Sequence, residues 1–132
     1  MKAMLLVCRQ GDVALWTVAA APRKLSPVKT YNGRLVVARG EATGHDHSFS
    51  AADVELYEAE PGVAFKLEMP DGTLADALFA RVLRDAPLEH QEHDTVVVPK
   101  RDYWIVMPRE YTPSAIVEVW TDRETERKEQ QK

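Results

Sequence analysis

The sequence is poor in cysteine, with Cys8 as the single thiol in 132 residues. One thiol cannot form an intrachain disulfide, so we do not expect a secreted, oxidised scaffold, and the cytoplasm is the expected compartment. Cys8 lies in the short apolar run 3–8, where we expect a buried, unreactive thiol rather than a nucleophile. Arg9 ends this run too early for the core of a signal peptide.

Long apolar runs and an excess of positive charge are also missing. No run approaches the roughly 20 residues that a transmembrane helix needs, so no membrane association is expected. The chain has 17 Lys and Arg against 21 Asp and Glu, a formal net charge of -4. Because an acidic surface repels phosphates, general nucleic-acid binding is not expected either. An unknown protein partner stays open.

Several motifs of known chemistry are absent as well. The sequence has no glycine-rich phosphate loop, no Gly-x-Ser-x-Gly nucleophile elbow and no Cys-x-x-Cys zinc knuckle. These absences argue against a nucleotide-binding loop, an α/β-hydrolase site and a cysteine-based zinc site.

Short β-prone runs separated by turn residues make up most of the sequence. The runs 3–8 and 12–18 predict a hairpin or one bent strand around Gly11, and 63–69 alternates as a half-buried strand does. The apolar positions of 74–84 fit a helix or a strand, and we favour the strand. The predicted fold class is therefore mainly β, as a small antiparallel barrel or sandwich.

One domain and one short helix complete this prediction. A hydrophobic content of 45% is enough for one core, so residues 1–120 are predicted to form a single domain. Thr112 and Pro113 fit the N-cap and first position of a C-terminal helix, whose apolar stripe ends at Trp120. Residues 121–132 are nearly all charged or amide, which predicts a solvated helix extension or a frayed tail.

The four histidines fall into two tight clusters. His45 and His47 share one face of an extended segment, and His90 and His93 share one side of a turn or helix. Both spacings suit two nitrogens that bind one metal. We therefore predict that the four imidazoles converge on a divalent ion, with zinc first and nickel, iron or manganese as alternatives. Three ligands would leave a coordination position open, and four would close the site.

Other interpretations of these residues stay open. The histidines could lie in two exposed turns that bind nothing, or could form a metal-free pocket that binds an anion or transfers protons. Glu89 and Glu92 are the candidate catalytic residues, because a metal-bound water needs a proton acceptor. Arg109 and Tyr111 are candidate ligand-binding residues, although an arginine beside an aromatic is more often structural.

Two functions are compatible with such a site. The first is a small metal-binding β domain that acts as an accessory or partner-docking module, with the ion joining two loops. The alternative is a metal-dependent enzyme, a hydrolase before other classes, in which Glu92 or Glu89 handles protons on an activated water. An open metal position in a concave pocket favours the enzyme, and a closed site at a flat surface favours the module.

Four segments together resemble an uncharacterised family of short β-rich proteins from bacteria and phages. They are Arg-Gln-Gly-Asp-Val at 9–13, Gly-Glu-Ala-Thr-Gly-His-Asp-His at 40–47, Leu-Glu-His-Gln-Glu-His at 88–93 and Arg-Glu-Tyr-Thr-Pro at 109–113. The resemblance covers most of the chain and implies a β-rich fold. It implies no activity, because none is assigned to that family.

A weaker resemblance is to cupins, small β-barrels that hold a metal with a strand-borne His-x-His and a later histidine. His45 and His47 match the first element, and 94–99 is similar to the strand and turn that lead to the last ligand. No histidine follows Pro99, so the resemblance implies a small barrel or sandwich of similar kind more than a cupin metal site.

Overall fold

The computed structural model describes residues 4–39 and 46–107 and the backbone of 119–120. Every regular element in these residues is a β-strand. The strands are β1 (Leu6–Gln10), β2 (Val13–Thr17), β3 (Ser26–Pro27), β4 (Arg34–Arg39), β5 (Asp46–Ser50), β6 (Val54–Glu58), β7 (Phe65–Glu68), β8 (Leu74–Val82), β9 (Ala86–Leu88), β10 (Val96–Val98), β11 (Asp102–Val106) and β12 (Val119–Trp120). No helix in the described part of the chain is long and apolar enough to cross a membrane.

The longest strand, β8, is the centre of the main sheet. β11 pairs antiparallel with one edge of β8, and β2 and then β1 follow beyond β11. Both β6 and β7 pair antiparallel with the other edge. Because both faces of β8 contribute to apolar clusters, its sequence is apolar at most positions, which explains why its pattern fits a helix as well as a strand.

β6 and β7 are two halves of one interrupted strand. Tyr57 of β6 lies opposite Phe79. Phe65 of β7 lies opposite Ala77. The chain between β6 and β7 therefore leaves the sheet opposite Leu78 and then returns to it. Beyond this composite strand, β3 pairs antiparallel with β6 and β12 pairs parallel with β7.

Two hairpins form a second layer. β4 pairs antiparallel with β5, and β9 pairs antiparallel with β10. A bridge between Ser48 and Glu89 joins β5 to the end of β9. The layer thus has the order β4-β5-β9-β10.

The larger apolar core lies between the main sheet and this second layer. Both layers contribute to it, with Leu15, Ala80 and Ile105 from the main sheet and Phe49 and Leu88 from the second layer. The opposite face of the main sheet carries a smaller cluster of aromatic and aliphatic residues. Two sheets with a shared core between them form a sandwich.

The prediction of a mainly β, antiparallel fold is confirmed. The described strands do not close into a barrel, because β1 and β3 remain the ends of the main path. β8 confirms the strand that we favoured for 74–84, and β1 with β2 confirms the hairpin around Gly11. Residues 112–118 of the predicted helix and residues 121–132 lie outside the described part. Val119–Trp120, at the end of that apolar stripe, pairs with β7 as β12.

Phe79→Ala should lower the free energy of unfolding by about 3–5 kcal/mol. Phe79 is fully buried on β8 beside Trp104 and Tyr57, so truncation leaves a cavity in the apolar cluster on that face of the main sheet. Urea denaturation measures the change. The control is Val97→Ala, which should alter stability by less than about 0.5 kcal/mol because Val97 is 61% exposed. Equal effects of the two substitutions would contradict the assigned core.

Candidate histidine site

His47 meets the second pair of histidines, His90 and His93, where β5 pairs with the end of β9. Ser48 and Glu89 exchange two backbone hydrogen bonds of 2.9 Å each. In an antiparallel pairing of this register, the residues His47 and His90 also lie opposite each other, with side chains on one face. The centroids of their imidazole rings are 4.3 Å apart.

His93 completes a group of three imidazoles, the histidine cluster. Its ring centroid lies 4.6 Å from that of His90 and 5.8 Å from that of His47. Imidazoles that bind one zinc ion at about 2.0–2.1 Å have ring centres roughly 5 Å apart. The structure thus brings the imidazoles of three of the four predicted ligands together, and His45 lies outside the described residues.

Gln10 holds the His47 ring in one orientation. Both side chains are buried, with Gln10 2% and His47 5% exposed. The Gln10 amide nitrogen donates to the carbonyl oxygens of Leu88 at 2.7 Å and Asp94 at 2.9 Å, which turns the amide oxygen toward Nδ1 of His47, also at 2.9 Å. Because an amide oxygen only accepts, Nδ1 of His47 carries the proton and Nε2 keeps its lone pair. Metal-binding histidines are commonly oriented by an acceptor in this way.

The turn between β1 and β2 supports the His93 ring. Gly11 has a φ of +58°, and a Cβ built on it would lie 2.6 Å from Nε2 of His93. Glycine adopts this left-handed conformation without a steric penalty and leaves room for the imidazole. The hairpin between β1 and β2 thus supplies two residues to the cluster, Gln10 beside His47 and Gly11 beneath the exposed His93.

His90 is held by the backbone that follows it. Its Nδ1 accepts hydrogen bonds from the N–H groups of Glu92 at 2.9 Å and His93 at 3.2 Å. Nδ1 therefore lacks a proton, and the neutral ring carries its proton on Nε2. Neither nitrogen then offers a lone pair to an ion until the ring turns about its Cβ–Cγ bond. Consistent with this, residues 4–39 and 46–107 contain no group of three His, Cys, Asp or Glu side chains placed to hold a metal.

Burial and the neighbouring imidazoles keep His47 neutral. Burial is the largest cause, because it removes the charged form from water, and positive charge on His90 and His93 acts in the same direction. Asp12 and Asp46 oppose the effect, and the pKa of His47 falls from 6.5 to about 4. His47 thus stays unprotonated throughout the neutral pH range, as a metal ligand or a proton acceptor must.

A polar cleft of about 460 Å³ opens beside the cluster. Its walls come from the turn before β4, from β4 and β5, and from the segment after β9. The residues that line it are Tyr31, Asn32, Arg34, Val36, Asp46, Ser48, Glu89, His90 and Gln91. Nη2 of Arg34 donates to Oε1 of Glu89 at 2.8 Å and to Oγ of Ser48 at 3.0 Å. Among the described histidines, only His90 lines the cleft.

The other candidate residues have different surroundings. The carboxylate of Glu89 is paired with Arg34, and Glu92 is exposed with its backbone N–H bonded to His90. Cys8 is half-buried, and burial raises the pKa of its thiol, as expected of an unreactive cysteine. Arg109 and Tyr111 lie outside the described residues.

Sequence reasoning missed three residues that shape the site. Gln10 and Gly11 lie in the segment 9–13, and the resemblance of that segment to an uncharacterised family was the one signal that marked them. Arg34 follows an Asn-Gly turn, which predicts where a strand begins but gives no sign of its pairing with Glu89.

The chain was also compared with known families and proteins. A family model described as a domain of unknown function, DUF8820, matches residues 9–108. The chain belongs to the DUF8820 family. The DUF8820 match includes Gln10, Gly11 and the four histidines and ends before Arg109. A search of curated proteins found no match, and a search of solved structures found none. The resemblance to an uncharacterised family is therefore confirmed at the level of an uncharacterised domain, and the resemblance to cupins gains no support from the open main sheet.

Gly11→Ala should displace the His93 ring in this DUF8820 domain. The added Cβ would meet Nε2 of His93 at 2.6 Å, and alanine is strained at a φ of +58°. We expect a loss of roughly 1 kcal/mol or more in stability, together with loss of the NOEs between the imidazoles of His93 and His47. Gly62→Ala is the matched control, since its φ is +81° but a Cβ there meets open space. Unchanged imidazole NOEs in Gly11→Ala would contradict the contact.

The stability of the metal-free domain should fall as the pH drops from about 6.5 to 4. In this window the unfolded chain protonates His47 while the folded chain does not, because the folded pKa is about 4. The contribution of neutral His47 to the free energy of unfolding is therefore complete above pH 6.5 and is lost toward pH 4. This contribution is at most about 3 kcal/mol. Urea titrations across this range in chelator measure it. His47→Gln cannot titrate and should show a shallower dependence, and equal slopes would contradict the assignment.

Proposed function

We propose that the histidine cluster binds one divalent metal ion, zinc before nickel, iron or manganese. The observation that carries this proposal is the convergence of three imidazoles, with ring centroids 4.3–5.8 Å apart, from two distant parts of the chain. His47 contributes Nε2, whose lone pair is kept available by the bond between Nδ1 and Gln10. His90 and His93 provide the second and third ligands, and His45 the fourth.

Binding requires one rearrangement in the cluster. His90 turns its ring so that a nitrogen with a lone pair faces the ion, and it gives up the bonds from the N–H groups of Glu92 and His93. Two backbone hydrogen bonds of about 1 kcal/mol each are a small cost beside the binding energy of a zinc ion.

The role that we favour for this ion is structural, in an accessory or partner-docking module. His47 is only 5% exposed and lies outside the cleft, so an ion on it has little room for a substrate. Such an ion joins β5 to the segment after β9 and so closes a long stretch of chain. We propose that the module acts on an unknown protein partner in the cytoplasm of a bacterium or in a phage-infected cell, as the motifs suggest, and not on nucleic acid or membrane.

A metal-dependent hydrolase is the second candidate. It is favoured by one observation, which is that His90 belongs to the cluster and also lines the cleft. In this case the histidines would hold an ion that supplies an activated water on the side of the cleft, and Glu92 would accept the proton of that water. Glu89 suits this role less well, because Arg34 already binds its carboxylate.

Purified protein should bind close to one equivalent of zinc, and His47→Ala should abolish this binding. Elemental analysis and calorimetric titration measure stoichiometry and affinity. Gln10→Ala should weaken binding by about 10–100-fold because it releases the orientation of His47. Glu89→Gln is the control. Glu89 precedes His90 but is not a ligand of the proposed structural site, so this variant should bind zinc like the parent.

Zinc should also raise the melting temperature of the parent protein. At a hundredfold excess of free ion over the dissociation constant, the stabilisation is about 2.7 kcal/mol, which amounts to several degrees. Chelator reverses the effect. If the parent binds no zinc, or if a variant with all four histidines replaced by alanine keeps its full metal content, the metal site is wrong. Hydrolysis of a reporter ester that requires zinc and Glu92 would favour the enzyme over the module.

A further inference from the structure

We propose that the polar cleft between β4, β5 and the segment after β9 binds a neutral saccharide, as a free sugar or as one unit of a glycan. The cleft volume of about 460 Å³ falls within the range of small-molecule sites. This inference goes beyond the metal site, because of the described histidines only His90 touches the cleft.

The rim of the cleft is fixed before any ligand arrives. Tyr31 and Arg34 exchange two backbone hydrogen bonds of 2.9 Å across a two-residue turn. Asn32 and Gly33 in this turn have φ values of +52° and +75°, the pattern of a type I′ turn. Tyr31 is therefore held at the rim with 60% of its surface exposed, which presents an aromatic ring to the solvent.

The charges of the cleft select against ionic ligands. The guanidinium of Arg34 is offset by the carboxylate of Glu89 at 2.8 Å. A phosphate or carboxylate would thus have to compete with Glu89 for the guanidinium of Arg34. A cation would have to compete with Arg34 for Glu89. Because the paired charges of Arg34 and Glu89 disfavour both anions and cations, we expect the ligand to be polar and neutral.

The hydrogen-bonding groups favour a ligand that donates and accepts at neighbouring atoms. Gln91 accepts the N–H of Asp46 through Oε1 at 2.8 Å, which leaves its amide nitrogen to donate. Ser48 accepts from Arg34 through Oγ and keeps its own proton to donate. Arg34 bonds through Nε and Nη2, so Nη1 makes no bond to the described residues, and Glu89 uses Oε1 alone.

Sugar hydroxyls match this arrangement. Each hydroxyl both donates and accepts, so adjacent hydroxyls can satisfy an amide or guanidinium donor and a carboxylate acceptor at the same time. The ring of Tyr31 provides a flat apolar surface on which the C–H face of a pyranose can stack. The exposed aromatic ring thus suits the C–H face of a sugar, and the planar polar side chains beside it suit the sugar hydroxyls.

The test uses the full-length protein in chelator, so that its outcome does not depend on the metal site. Glucose, maltose, cellobiose, lactose and diacetylchitobiose are titrated separately into labelled protein, with glucuronate as the anionic comparison, and amide shifts are recorded by NMR. We expect at least one neutral sugar to bind at millimolar concentration, with shifts confined to 31–34, 36, 46, 48 and 89–91. Tighter binding of a disaccharide than of glucose assigns a glycan unit, and equal binding assigns a free sugar.

The variants are chosen to keep the fold. Tyr31→Ala removes an exposed ring and should weaken binding about tenfold, whereas Tyr31→Phe should stay within about twofold of the parent. Val97→Ala, at an exposed position on β10, should bind like the parent. Three results overturn the proposal: no shift with any neutral sugar, shifts with glucuronate alone, or unchanged affinity in Tyr31→Ala.

Discussion

The buried side chain of Gln10 is the contact on which the rest of the histidine site depends. Gln10 ends β1 in the main sheet, yet it bonds to the carbonyls of Leu88 and Asp94 and to the ring of His47, all of which lie in or beside the second layer. A buried polar group that loses its partner costs about 1–3 kcal/mol. The three bonds of this amide therefore fix how the layers meet, and the histidine cluster forms at that junction.

Local pattern was enough to predict several of the strands and the grouping of histidines. The alternation in 63–69 reappears as the alternating burial of β7, and the apolar run 74–84 contains β8. The two histidine spacings indicated a shared site, and His47, His90 and His93 do lie together. These features can be predicted because the periodicity and spacing of residues determine which side chains share a face.

The register between distant segments could not be predicted. Nothing in the sequence says that Ser48 pairs with Glu89, and this one pairing decides that His47 faces His90. The same holds for Gln10, since a glutamine before a turn is ordinarily solvated and is buried here only because β1 meets the second layer. The tautomer of His90 depends in turn on a local backbone conformation that the spacing of His90 and His93 leaves undetermined.

The connection between β6 and β7 is a place where residues can be inserted into the chain. Each half pairs with its own part of β8, so residues added between them lengthen the excursion and leave both registers intact. Gly62 in this excursion has open space around it, and the entropic cost of a longer loop grows slowly. His47 lies on β5, and His90 and His93 follow β9, in the other layer. A peptide inserted between β6 and β7 would therefore lie on the main sheet, in the layer opposite to His47, His90 and His93.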